Sequence, residues 1–371
     1  MRVGIDATSI VGDRGGVGVV TSHLLRELPR LDEALEIVAY VAPGTLCRGT
    51  LEGWPSHSRL RWVEAGRWQM RGRGRQDGLD LFHGPNYKMR TTGRCGGVVT
   101  IHDLWLERHP EYSTKLLGQR LSTWRTSRTA RRARRVITVS GHASRELQSL
   151  YGLPEERIRV VPNGVAPEWF SPPGAAAIQA ARDRFEIGDQ PYILFVGGAD
   201  PRKNHRVLVR AFAQCRQELK NYLLVLVGDA AHRFGNYQAT VQQEGLGDRV
   251  RCPGRVTSRE LHALYAGAAV FVFPSLYEGF GMPVLEALAS GTPVVTAKTT
   301  ALPEVAGDAA LLVDPEDAVE LRMALMRLVR DEALRGELRE KGLSRAKGFT
   351  WDRTARETLA VYREIVGQDW D

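Results

Sequence analysis

A chain of 371 residues is longer than one hydrophobic core usually serves, so two domains of about 150–200 residues are expected. With 43% hydrophobic and 25% charged residues, the composition is globular and excludes a disordered chain. Lys plus Arg number 51 against 43 Asp plus Glu, a formal net charge of +8, which suits nucleic acid, anionic lipid or a phosphorylated small molecule without choosing among them.

The first residues, MRVGIDAT, lack the apolar stretch of a signal peptide and read as a first strand over 2–7. Short apolar runs at 37–41, 79–82, 97–101, 136–139 and 159–161 read as further strands of a first half. Runs at 192–196, 223–227, 249–252, 270–273 and 293–296 read as strands of a second half. LLVLV at 223–227 and VFVF at 270–273 are apolar on both faces, as in parallel sheets covered by helices. Strands alternate with helical stretches throughout, so two doubly wound α/β domains are expected. The boundary is placed in the Pro-rich stretch 166–175, after the turn ProAsnGly at 162–164. The chain closes on an amphipathic helix over 350–366, with Thr350 as its N-cap. No apolar run reaches the ~18 residues that span a bilayer. Cys47, Cys95, Cys215 and Cys252 show neither CxxC nor zinc spacing and read as reduced thiols, so the expected location is cytoplasmic.

Ligands of open α/β sheets gather beyond the carboxyl ends of the strands, and three loops there suit a phosphate. The first is GDRGGVG at 12–18, with Gly15 and Gly16 ahead of a helix over 19–28. Its glycines allow a backbone to approach a ligand, and an ordinary tight turn explains them equally well. It is not a dinucleotide fingerprint, because Thr21 stands where the last glycine belongs. The second is GGADPRKNH at 197–205. Arg202 and Lys203 sit on the loop entering a helix there, and positive charge at a helix N-terminus is unfavourable unless an anion is bound. The third is PSLYEGFGMP at 274–283. Gly279, Gly281 and a helix start at Met282–Pro283 form an anion site, while Glu278 and Glu286 suit sugar or ribose hydroxyls.

Glu278 and Glu286, with seven residues between them, resemble the signature of the GT4 family of retaining glycosyltransferases. The resemblance extends over HisAsp at 102–103, ValProAsnGly at 161–164, GlyGlyAlaAspProArgLysAsn at 197–204 and the final PheThrTrp helix. It is strongest with bacterial mannosyltransferases of polysaccharide and O-antigen assembly. The resemblance implies a GT-B fold: two Rossmann-like doubly wound domains facing across a cleft, with the C-terminal helix crossing back. The domains are then 1–170 plus 350–371 on the acceptor side, and 171–349 for the nucleotide-sugar donor. It further implies that Arg202 and Lys203 bind the donor diphosphate and that Glu286 binds the ribose. Glu278 and the backbone of Gly279, Phe280, Gly281 and Met282 face the transferred sugar and phosphate. Gly15 and Gly16 lie near the phosphates, His102 contacts the sugar, and Val256 with Arg255 meets the base.

A nucleoside diphosphate leaves readily once its charge is neutralised. Some transferases use a metal on a DxD motif. The reading counts no DxD in this chain, so Arg202, Lys203 and the helix start are expected to replace the metal. No cofactor is expected beyond the donor, with GDP-mannose favoured over a UDP-sugar. An epimerase or hydrolase of the same fold is the alternative. The acceptor is expected to be a glycan or lipid-linked. Residues 113–135 carry eight basic and no acidic residues, with Leu116, Leu117, Leu121 and Trp124 among them. Basic residues also alternate with glycine at 71–75. Peripheral contact with the inner face of the membrane and a plainly solvated helix fit this segment equally. No nucleic-acid reader motif is present. His83, Asn86 and Tyr87 are candidates to line the acceptor cleft.

Overall fold

A computed structural model describes residues 1–11, 15–48, 54, 57–66, 69–89, 95–113, 116–232 and 235–367. The chain divides into two compact units, Met1–Gly164 with Trp351–Asp371, and Val165–Thr350. The first transition falls at Gly164, a few residues ahead of the stretch chosen from sequence.

The first unit is built on seven parallel strands: β1 (Arg2–Asp6), β2 (Glu36–Val41), β3 (Leu60–Glu64), β4 (Leu81–Gly84), β5 (Gly96–Ile101), β6 (Arg135–Thr138) and β7 (Ile158–Val160). Their order is β3-β2-β1-β4-β5-β6-β7. The inner strands are buried on both faces, which is why they read as unbroken apolar runs. β3 was not expected; it is an edge strand whose residues beyond Leu60 are only partly covered.

The terminal helix Trp351–Val366 is part of this unit. It packs on the helix Gly16–Leu31, where the His23 and Trp351 rings stack at 4.4 Å. Tyr362 Oη lies 2.7 Å from His83 Nδ1, and Thr100 Oγ1 lies 2.7 Å from its Nε2. Glu364 accepts from both Arg135 and Arg159. His83 therefore does not line a cleft: it is fully buried with both ring nitrogens engaged, and burial pushes its pKa down to about 3.

The second unit holds a six-stranded parallel sheet: β8 (Tyr192–Val196), β9 (Leu223–Val227), β12 (Val250–Gly254), β13 (Val270–Phe273), β14 (Val294–Ala297) and β15 (Ala310–Val313), in the order β12-β9-β8-β13-β14-β15. A small antiparallel ribbon, β10 (Ala231–His232) with β11 (Gly235–Asn236), stands apart from it. The short edge strand β15 was also missed. Both main sheets reverse strand direction of winding once, between β1 and β4 and between β8 and β13, the doubly wound pattern that opens a crevice at the carboxyl ends of those strands.

Candidate active site

In the second unit the loops after β8 and β13 are residues 197–204 and 274–281, so two segments separated by about 75 residues of chain meet at the reversal point of one sheet. Asp200 caps a 3₁₀ turn, Pro201–Lys203, by accepting from Arg202 N at 2.9 Å. Asn204 then adopts a left-handed conformation, φ 53°, before the helix His205–Gln214 begins. Arg202 and Lys203 thus sit on the loop ahead of that helix, as expected, with Asn204 between them and its first turn. The helix-dipole argument for a bound anion does not apply to them.

A backbone tie and an ion pair fix the two cations instead. The Arg202 carbonyl accepts from Leu276 N at 2.8 Å. Lys203 Nζ lies 2.6 Å from Glu278 Oε1 and 5.1 Å from the centre of the Phe273 ring. Their side chains are only 15% and 9% exposed, so each charge needs the other. Ser275 Oγ sits 2.7 Å from Glu278 Oε1 and 3.0 Å from the Arg202 carbonyl, its one proton serving one acceptor at a time. Burial pushes the Glu278 carboxyl up, but Lys203 and Arg202 outweigh it and hold it below its ordinary value. Burial and the neighbouring Arg202 hold the Lys203 ammonium below its ordinary value, against the pull of Glu278. Arg202 contributes to both directions, since it favours the anion and opposes the second cation.

The loop after Glu278 is held from behind. Thr300, itself at φ 57°, accepts from Glu278 N at 3.1 Å. Phe280 turns its buried ring edge-on to Phe349, leaving its backbone as the part available to a ligand. Gly281 stands at φ 114°, and a Cβ there would come 2.7 Å from Leu302 Cδ2, so the position requires glycine. It caps the helix Met282–Ala289, whose first turn contains Pro283. One turn on, Glu286 is half-buried and accepts from Tyr265 Oη at 3.2 Å. Burial pushes its carboxyl up to about 7, against the Tyr265 hydrogen bond. Val256 is half-buried and follows Arg255, which forms a two-pronged pair with Asp229 at 2.7 Å. Thr257 and Glu260 close a capping box on the next helix, Ser258–Gly267.

The remaining expected residues belong to the first unit. Gly15 is the exposed N-cap of Gly16–Leu31, and a Cβ on Gly15 or Gly16 would meet nothing within 4 Å. Packing within the unit therefore does not demand these glycines. Residues 12–14 of that loop lie outside the described residues. His102 follows β5, is buried, and its Nε2 donates to the Pro85 carbonyl at 2.8 Å. Burial holds its pKa low, so Nδ1 carries a lone pair. Residues 116–132 form one helix, Leu116–Arg132. Leu121 and Trp124 are 45% and 55% exposed, and the Arg128 guanidinium lies 5.4 Å over the Trp124 ring. Thr114, Lys115 and the side chains of Leu116 and Leu117 lie outside the described residues. No helix among the described residues is long and apolar enough to cross a membrane.

Sequence reasoning missed Ser275, Thr300 and Tyr265. The first two lie two and three residues beyond buried strands, a signal that was present; nothing local marks Tyr265. The count of DxD motifs was also wrong. Asp369, Trp370 and Asp371 form one at the chain end, outside the described residues.

Two family models match consecutive stretches: Glycosyltransferase Family 4 over residues 14–169, and Glycosyl transferases group 1 over 178–345. The chain is 31% identical over 292 residues to the O-antigen chain mannosyltransferase B of Escherichia coli, covering 76% of this chain and 74% of that protein. It is 34% identical over 246 residues to the MMP alpha-(1->4)-mannosyltransferase of Mycolicibacterium hassiacum, covering 65% of this chain and 56% of that one. Sucrose-phosphate synthase from Thermosynechococcus elongatus shares the fold at a TM-score of 0.79 and 23% identity, with 99% of each chain covered. With matching models over both units and a relative aligned over most of its length, the chain belongs to the group 1 and family 4 glycosyltransferases and has their GT-B fold.

Proposed function

We propose that this glycosyltransferase moves mannose from GDP-mannose, with retention and without a metal, to a glycan or lipid-linked acceptor of polysaccharide assembly. The observation that carries the reading is the buried Lys203–Glu278 pair beside Arg202 at the reversal point of the second sheet. The mannosyl specificity draws support from the names of the two relatives above.

Arg202 and Lys203 neutralise the diphosphate as it leaves, assisted by the helix start at Met282. Lys203 has three N–H groups and gives one to Glu278, so two remain for phosphate oxygens. Glu278 Oε1 takes the lysine and serine, which leaves Oε2 for a sugar hydroxyl. The Glu286 carboxylate accepts the ribose hydroxyls. His102 accepts a sugar hydroxyl through Nδ1 and does not act as a base. Attack comes from the face the diphosphate leaves. The bond from the anomeric carbon to phosphate oxygen breaks, the bond to the acceptor oxygen forms, and the acceptor proton passes to the departing phosphate. The helix Leu116–Arg132 lays Trp124 and Leu121 on anionic membrane, with its arginines at the headgroups, on the cytoplasmic side.

Initial rates with GDP-mannose, UDP-glucose, ADP-glucose and TDP-glucose, with and without EDTA, test the donor and the metal. Anomeric proton couplings of the product test retention. GDP-mannose is expected to be the preferred donor, EDTA to change little, and the α configuration to be kept. An inverted product, a strict metal requirement, or donor turnover without acceptor overturns the corresponding part. Co-sedimentation with phosphatidylglycerol vesicles, but not phosphatidylcholine vesicles, is expected; Trp124→Ala should weaken it.

A further inference from the structure

Glu286 needs a fixed orientation if it is to receive two neighbouring hydroxyls, and its own helix does not supply one. Among the described residues its one hydrogen-bond partner is Tyr265, which lies on a different helix, Ser258–Gly267. The Tyr265 ring is fully buried and clamped between two others: Trp169 meets it edge-on at 5.6 Å and Phe271 at 5.2 Å. Its carbonyl is tied to Thr292 Oγ1 at 2.7 Å, so the backbone is held as well. The hydroxyl of a phenol held in this way has one acceptor among the described residues, Glu286 Oε2. Trp169 itself is backed by the His262 ring at 5.0 Å.

We propose that Tyr265 is a positioning residue of the nucleotide site, its hydroxyl fixing the Glu286 carboxylate in the orientation that receives a vicinal diol. This rests on the reading of Glu286 as the ribose acceptor. A carboxylate that accepts from tyrosine on one oxygen keeps its other lone pairs for the diol. The hydrogen bond also favours the charged form, opposing the burial that brings Glu286 to about 7. The elements packed against the Glu286 helix carry other ionisable groups: His262 on Ser258–Gly267, Glu168 in the turn Pro167–Phe170, Glu304 on Leu302–Ala306, and Arg339 and Arg345 on Glu332–Ala346. None of these is a cause of the Glu286 shift, which burial and Tyr265 account for. Recognition of the ribose should therefore depend on pH through Glu286, with Tyr265 setting the midpoint.

The experiment compares the affinities of GDP and 2′,3′-dideoxy-GDP, with the UDP pair in parallel, by calorimetry from pH 5.5 to 9. In the native protein the hydroxyls should contribute on the order of 100-fold at pH 8, and this advantage should fade as pH falls through about 7. Glu286→Gln should erase both the advantage and its pH dependence. Tyr265→Phe should raise the midpoint by about one unit and thereby cut the advantage about fivefold at pH 7. A merely structural tyrosine would leave the midpoint where it is. An unmoved midpoint in Tyr265→Phe, with Glu286→Gln behaving as expected, overturns the role of Tyr265 alone. A dideoxy ratio untouched by Glu286→Gln overturns the ribose reading and the inference with it. Should Tyr265→Phe fail to fold, Trp169→Phe loosens the clamp, keeps the hydroxyl and is read by the same midpoint.

Discussion

Lys203→Met removes an ammonium group and keeps most of its stem. Glu278, 9% exposed, then retains a charge whose nearest cation has gone. Breaking a buried pair from one side destabilises by about 3–5 kcal/mol. Arg202 and the Ser275 hydroxyl remain beside the carboxylate, so the lower end is expected, about 3 kcal/mol. For a unit of this size that is a drop in Tm of about 6–12 °C. Lys203→Met combined with Glu278→Gln removes both charges and should return to within about 1 kcal/mol of the native protein. Turnover should not return, because the neutralising charge at the diphosphate is missing; a loss of about 100- to 1000-fold is expected in both variants. Scanning calorimetry of the second unit's transition, with initial rates on the same samples, reads both effects. The Glu278 carboxyl sits below its ordinary value of 4.5, so the pair's stabilisation is present above that pH and lost as pH falls through the folded value. The gap between native protein and single variant should thus close in acid. A single variant as stable as the native protein, or a double variant as unstable as the single one, would refute the reasoning.

Four further outcomes follow from the geometry. Glu286 has a folded pKa of about 7 against 4.5 unfolded, so the folded state holds a proton that the unfolded state has released, and native stability should decline as pH rises between those values. The swing is at most about 3 kcal/mol, and Glu286→Gln should abolish it in urea melts at pH 5 and 8. Gly281→Ala should destabilise by about 1–3 kcal/mol, because φ is 114° and the new methyl meets Leu302. Gly16→Ala meets nothing and should be neutral or stabilising by up to about 1 kcal/mol, yet weaken donor binding; thermal melts with and without GDP separate the two effects. Tyr362→Phe strands His83 Nδ1 in the interior and should lower stability by about 1–3 kcal/mol, read by urea unfolding.

Much of this was legible in the residues because the physics is local. The inner strands are covered on both faces and so appear as apolar runs; the glycines at 279 and 281 and Pro283 announce a turn into a helix. Two of the strands that escaped, β3 and β15, are edges: β3 (LRWVE) is interrupted by charge and has no apolar run, whereas β15 (ALLV) has one, four residues long, that went unread. The charge pair of the site was legible as residue types but not as a pair, since Lys203 and Glu278 are 75 residues apart. The argument from helix charge failed at Asn204, whose left-handed backbone separates Arg202 and Lys203 from the helix; asparagine tolerates that conformation, but nothing in its neighbours demanded it. Tyr265 was invisible because its role depends on Trp169, nearly a hundred residues earlier, and on Glu286.

The helix Trp351–Val366 has a consequence for synthesis. Domains generally fold as units while the chain emerges from the ribosome, the N-terminal one first. Here the first unit emerges with His83, Arg135 and Arg159 all awaiting partners that are translated only after the second unit, at Tyr362 and Glu364. The second unit lies wholly in between. The half that is begun first is thus completed only after the other, and a transplanted first unit would have to carry the helix Trp351–Val366 with it.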